Sequence, residues 1–149
     1  MAGSRLAGQS ECLLLRRRMV ERLAAAGISS RPVLDAFLSV PRHRLVSEAL
    51  RGRAYHDVAL PIGEGQTISA PGVVATMTQA LALEGHETVL DIGTGSGYQA
   101  AILSRLASRV VSVERVGRLA ATARRALDHL GVSNVLVYLG DGSLGRLAD

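Results

Sequence analysis

Apolar residues recur at helical spacing along ECLLLRRRMVERLAAAGI, where Leu15, Met19, Leu23 and Ala26 fall on one face and Gly27 supplies a stop. SSRPVLDAFLSV predicts a second helix, opened by Ser29 or Ser30 with Pro32 in its first turn and closed before Pro41. Between 41 and 70 the periodicity lapses. Short apolar pieces alternate there with Pro61, Gly63 and Gly65, which predicts loops and at most short strands. From Pro71 the helical pattern returns, with Val73, Val74, Met77, Ala80 and Leu81 on one face as far as Gly85.

Beyond Gly85 the pattern alternates regularly. TVLDI, RVVSVE and NVLVYLGD read as buried strands, and GYQAAILSRLAS and GRLAATARRALDHLG as the helices between them, the second closed by Gly131. Such alternation implies right-handed βαβ units on a parallel sheet. The chain therefore divides into an N-terminal helical and loop region, 1–85, and the N-terminal half of a Rossmann-like α/β domain, 86–149. A doubly wound sheet continues with further strands on the far side of the first. A chain ending at Asp149 is expected either to be a fragment of a longer protein or to have its open side covered by a partner.

Composition changes this picture little. The 149 residues fit one domain able to bury roughly 68–70% of its unfolded surface, and 48% hydrophobic with 20% charged residues is ordinary for a globular chain. All 17 basic residues are arginine, giving a net charge of +4. Apart from Arg16, Arg17 and Arg18 they are scattered, and Phe37 with three tyrosines offers little to stack on bases, so no nucleic-acid partner is expected. The single Cys12 forms no internal disulfide, which agrees with a cytoplasmic protein. CLLL is followed at once by arginines and no apolar run reaches spanning length, so neither a signal peptide nor a membrane anchor is expected. Four scattered histidines and one cysteine show no metal-ligand spacing.

The candidate chemistry lies in DIGTGSGY, residues 91–98. Gly93, Gly95 and Gly97 form a Gly-x-Gly-x-Gly pattern, whereas a dinucleotide fingerprint needs its third glycine where this chain has Tyr98. A Walker loop is excluded because the chain has no lysine. The tighter pattern preceded by Asp91 is typical of methyltransferases that use S-adenosylmethionine. Glu114 ends the second strand of the alternating region, where Rossmann-type sheets place an acid for ribose hydroxyls. Asp141 sits between Gly140 and Gly142 after the third, suited to an adenine amine or, alternatively, to a plain turn. Asp128, His129, Arg124 and Arg125 read as a solvated helix face.

Upstream, GEGQTISAP (63–71) is polar and glycine-rich yet stands directly before a helix. Ser69 suits an N-cap and Pro71 a first turn, so the segment can be a plain helix start. The helix amides would also favour an anion placed before them, with Thr67 and Ser69 adding hydroxyl donors. ALPIGEGQTISAPGVVATMTQAL, then VLDIGTGSGYQAAILSRLASRVVSVER and GDG, with VPRHRLV and AYHDVALPIG ahead of them, resemble the protein L-isoaspartate O-methyltransferase family from about Met19 to Leu147. The glycine motif is shared by many methyltransferases; TISAP is much more specific.

The resemblance implies a Rossmann-like S-adenosylmethionine methyltransferase sheet, of which three parallel strands are visible and the C-terminal strands absent, with an N-terminal helical extension. It implies methylation of the α-carboxylate of L-isoaspartyl residues in damaged proteins, after which the ester collapses to a succinimide that can reopen as aspartate. Ser69 matches the family's active-site serine, with Thr67 and Ile68 beside it at the substrate, and Asp91, Gly93, Thr94, Gly95, Ser96, Gly97, Glu114, Asp141 and Gly142 match the cofactor contacts. The chemistry suits these residue types: a carboxylate with a pKa near 4 is ionised at neutral pH and needs no general base. In-line alignment and partial desolvation are required instead, which makes Ser69 an orienting donor and leaves His43 and His56 structural. Gly72 stands where relatives often carry an aromatic or histidine, and Leu45 where an aromatic is common. Two readings compete: a methyltransferase for aspartate in a dedicated peptide, and a truncated S-adenosylmethionine-binding module without turnover. A monomer is expected if the protein is complete.

Overall fold

The computed structural model describes residues 2–145; positions 146–149, the last of the expected second segment, lie outside the described residues. Helix α1 (Ala2–Ala25) turns at Gly27 into α2 (Arg31–Ser39). The first helix begins well before the predicted Glu11. Met19 and Leu23 are buried as the periodicity predicts, while Ala26 lies past the helix and is exposed. Ser30 occupies the N-cap of α2 without a side-chain bond; Gln79 Oε1 instead accepts the amides of Ser29 and Ser30 at 2.8 and 2.9 Å.

The region 41–70 holds two 3-10 turns, Arg42–Arg44 and Glu48–Arg53, and a hairpin of β1 (Leu60–Gly63) and β2 (Gln66–Ile68). Glu64 and Gly65 at its tip both have positive φ, 53° and 66°, the combination a two-residue hairpin turn demands. Arg42 is fully buried beneath this region. Its Nε donates to Ala54 O at 2.7 Å and its guanidinium lies 4.8 Å from the Tyr98 ring centre. Burial depresses its pKa, against the opposing influence of Tyr98 and Asp57.

Helix α3 (Pro71–Ala80) buries Val74, Ala75 and Thr78, while Val73, Met77 and Leu81 stay about half exposed. The face expected from periodicity is thus rotated: small Ala75 and Thr78 are buried, with Thr78 Oγ1 accepting from Gln99 Nε2 at 2.9 Å, and the larger Val73, Met77 and Leu81 are half exposed. Ser69 is exposed and does not cap this helix; the N-cap is Ala70. The cap comes from Asp57, whose Oδ1 accepts the Gly72 amide at 2.7 Å. The start of α3 therefore holds an internal carboxylate, which corrects the expectation that its amides await an external anion.

β3 (Thr88–Ile92), β4 (Arg109–Glu114) and β5 (Val135–Leu139) form a parallel sheet with β4 in the middle and β3 at an edge. Helices α4 (Tyr98–Leu103) and α5 (Gly117–His129) make the crossovers. Val89, Val110 and Val135 align across the sheet and pack with Ala100 and Leu103 of α4, while Val137 joins the core with Ala120 and Leu127 of α5. That core runs without a break into Met19, Phe37, Leu60 and Val74 of the N-terminal region. The opposite sheet face, which carries Leu90, Ile92 and Leu136, is open: these residues are 42%, 58% and 41% exposed. Arg124, expected to be solvated, donates through Nε to Val137 O at 3.0 Å and ties α5 to β5.

Candidate functional site

The predicted acids gather at the carboxyl ends of the three strands, two of which lead into α4 and α5 and the third into a 3-10 turn at Gly142–Leu144. The glycine loop leaves β3 with Gly93, Gly95 and Gly97 at φ 90°, 54° and 86°, a left-handed path that side chains with a Cβ rarely follow. Glu114 fixes this loop from the next strand: its Oε2 accepts the Gly95 amide at 2.8 Å and its Oε1 the Val116 amide at 2.9 Å. A carboxylate has about four acceptor sites, so Glu114 keeps two for hydroxyls of a ligand. Asp141 is exposed and accepts the Ser143 amide at 2.9 Å, an interaction that lowers its pKa. At Gly142 an added Cβ would stand 2.5 Å from Ile92 Cγ2, so only glycine allows this close approach.

Glu114, Asp141 and Gly142 line a cleft of about 380 Å³, with Gln66 and Thr67 of the hairpin on its other side. A second cleft of about 160 Å³ is lined by Thr67, Ile68, Ser69, Asp91, Thr94, Ser96 and Gln99. Thr67, Ile92, Gly93 and Gly95 border both, so the two clefts adjoin at the glycine loop. Every predicted site residue except Gly97 lines one of them. Gly97 instead starts α4, where an added Cβ would meet Leu127 Cγ at 3.4 Å. A larger groove of about 540 Å³ lies between the 44–50 segment and α5 and touches the same loop, but its wall is mainly apolar and contains no acid.

Asp91 is buried and its pKa is raised, chiefly by loss of hydration and further by the charge of Glu114, against the opposing bond from Ser112. Ser112 Oγ lies 2.6 Å from Asp91 Oδ2, and Thr94 Oγ1 lies 2.6 Å from Ser112 Oγ. Ser112 escaped the sequence reading, although a lone serine inside the apolar strand RVVSVE was the available signal. Asp57 and Gln66 escaped it too, because nothing local marks them. His43 Nδ1 is 2.7 Å from the Tyr55 hydroxyl, and burial followed by Arg16, Arg51 and Arg44 lowers its pKa; it lines neither cleft. Among the described residues no group of three or more potential ligands could hold a metal ion.

The fold and the paired clefts define the class: a Rossmann-like α/β sheet with two adjoining clefts at the carboxyl ends of its parallel strands. The sequence of the family described as Protein-L-isoaspartate(D-aspartate) O-methyltransferase (PCMT) matches residues 15–148, and the chain belongs to that family. A protein-L-isoaspartate O-methyltransferase of Geobacter metallireducens is 55% identical over 133 residues, covering 89% of this chain and 62% of that protein. One of Geotalea uraniireducens is 57% identical over 133 residues, covering 89% and 61%. A solved structure of a protein-L-isoaspartate O-methyltransferase superposes with a TM-score of 0.78 at 32% identity, covering 85% of this chain and 42% of that one. A Plasmodium falciparum structure in complex with S-adenosyl-L-homocysteine shares the fold, with a TM-score of 0.72 at 24% identity over 84% of this chain and 62% of that one. The chain spans about three fifths of the length of the curated relatives it matches.

Proposed function

We propose that the protein methylates the α-carboxylate of L-isoaspartyl residues in damaged proteins, using S-adenosylmethionine. The observation that carries this reading is the meeting of TISAP and the glycine loop: Thr67 and Gly95 border both clefts. Segment 1–85 brings the substrate side to that meeting and segment 86–149 the donor side. Glu114 accepts ribose hydroxyls, Asp141 with Gly142 meets the adenine, and Asp91 with Gly93, Thr94, Gly95 and Ser96 encloses the amino-acid end, while Gly97 supports the loop from its position at the start of α4. When bound, S-adenosylmethionine supplies an electrophilic methyl on a sulfonium. Ser69, exposed beside Thr67 and Ile68 and free of any capping duty, orients the substrate carboxylate by hydrogen bonding. The start of α3 is occupied by Asp57, so this orientation falls to the hydroxyls and not to the helix amides.

The same reading implies a cytoplasmic protein acting on damaged polypeptides, a monomer when complete, with no part for nucleic acid or membrane. No helix among the described residues is long and apolar enough to cross a membrane. Labelled S-adenosylmethionine with an isoaspartyl peptide, run beside its aspartyl counterpart, tests the activity: label is expected in the first alone, and equal label in both or in neither overturns the reading. Ser69→Ala is expected to slow transfer about tenfold, one lost charge-assisted hydrogen bond, with the melting temperature unchanged. A lower melting temperature with unchanged rate would return Ser69 to a structural role.

A further inference from the structure

Ser112 is completely buried at the centre of the central strand, flanked by Val111 and Val113. Packing alone does not call for a hydroxyl there, and a buried hydroxyl without a partner is costly. Its cross-strand register neighbour is Asp91, and its second contact, Thr94, lies inside the glycine loop and is 3% exposed. The proton order follows from chemistry. An ionised carboxylate only accepts, so Ser112 donates its single proton to Asp91 at 2.6 Å and Thr94 must donate to Ser112 at 2.6 Å. Each bond in such a chain polarises the next.

The geometry points to Ser112 and Thr94 as positioning residues that hold Asp91 ionised and aimed at the ammonium group of the methyl donor's amino-acid end. The inference rests on the methyl-donor reading above. Asp91 is the only charged residue lining the smaller cleft among the described residues. The charged group bearing on it is Glu114, further along β4, which opposes ionisation; α4, packed over this part of the sheet, presents uncharged Tyr98 and Gln99. Thr94 also couples the state of Asp91 to the loop itself, since the residue that steadies the carboxylate sits between two of its glycines.

The decisive test needs no ligand. The Asp91 side-chain carboxyl is titrated by ¹³C NMR in the full chain, in wild type, Thr94→Val and Ser112→Ala. The titration is expected to move to higher pH in Thr94→Val and further in Ser112→Ala, and Ser112→Cys, a weaker donor, should fall between wild type and Ser112→Ala. Coincident titrations in wild type and Ser112→Ala overturn the inference, and should Ser112→Ala not fold, the near-isosteric Thr94→Val decides alone. Calorimetry with S-adenosylhomocysteine then reads the consequence. The affinity ratio of wild type to Ser112→Ala is expected to be larger between their two measured titration midpoints, where only wild type is ionised, than at a pH above both. A ratio independent of pH overturns the aiming role, whereas wild type binding no S-adenosylhomocysteine at any pH overturns the methyl-donor reading and leaves the NMR result to judge the relay.

Discussion

At the scale of single residues, the site depends on two carboxylates with different duties. Glu114 already holds the Gly95 and Val116 amides, so its removal costs both the loop and the ligand. Glu114→Ala is expected to weaken S-adenosylhomocysteine binding by about tenfold or more, the worth of one charge-assisted bond, and calorimetry that finds unchanged affinity would remove its ribose role. Asp91 runs the other way in stability. Its folded pKa is raised, so its contribution is favourable below its unfolded value and lost as pH rises through the folded one. Asp91→Asn should therefore melt higher than wild type at neutral pH, with the gain vanishing in acid, while binding the donor less tightly. Thermal melts at pH 4 and pH 7 check the sign; a gain equal at both would show that its charge is not the cause. Ser112 marks the limit of reading such residues from sequence. One serine among valines signals a partner, but which strand supplies that partner is set only by register.

At the scale of elements, the start of α3 was the segment most open to two readings. Its sequence gives Ser69 and Pro71 as a ready helix opening, yet the cap is made by Asp57, fifteen residues away on the preceding loop. Gly72 is the matching half of that contact. A Cβ at this position would stand 2.9 Å from Asp57 Oδ2 and 3.0 Å from Oδ1, so a larger residue here would displace the capping carboxylate. Gly72→Ala is expected to cost about 1 kcal/mol, the typical worth of a cap, and Asp57→Ala a similar amount. Because both changes break one interaction, the double variant should cost scarcely more than either single one. Additive losses in chemical denaturation would show that the two residues act separately. The rotated face of α3 is likewise set by tertiary contacts: periodicity locates an apolar helix, but the buried side carries Val74, Ala75 and Thr78, the last bonded to Gln99 of α4.

At the scale of the whole molecule, the sheet is covered by helices on one face and open on the other. Parallel sheets are ordinarily covered on both, and an apolar surface of this kind favours association. The 149-residue chain is expected to self-associate with rising concentration, and Leu90→Glu with Leu136→Glu to suppress this in sedimentation velocity without lowering the melting temperature. Concentration-independent sedimentation of wild type would show the face to be harmless. The sequence by itself determined the order of elements, the parallel βαβ pattern, the glycine loop and its flanking acids, because periodicity and turn chemistry are local. It also set TISAP before that loop. Only the tertiary structure decided that Thr67 and Gly95 border the same clefts, that Asp57 and not Ser69 caps α3, that Arg42 is a buried tie, and that Asp91 is served by Ser112 and Thr94. These follow from register and packing between segments distant in the chain, where the free energy of a contact depends on neighbours that no local pattern records.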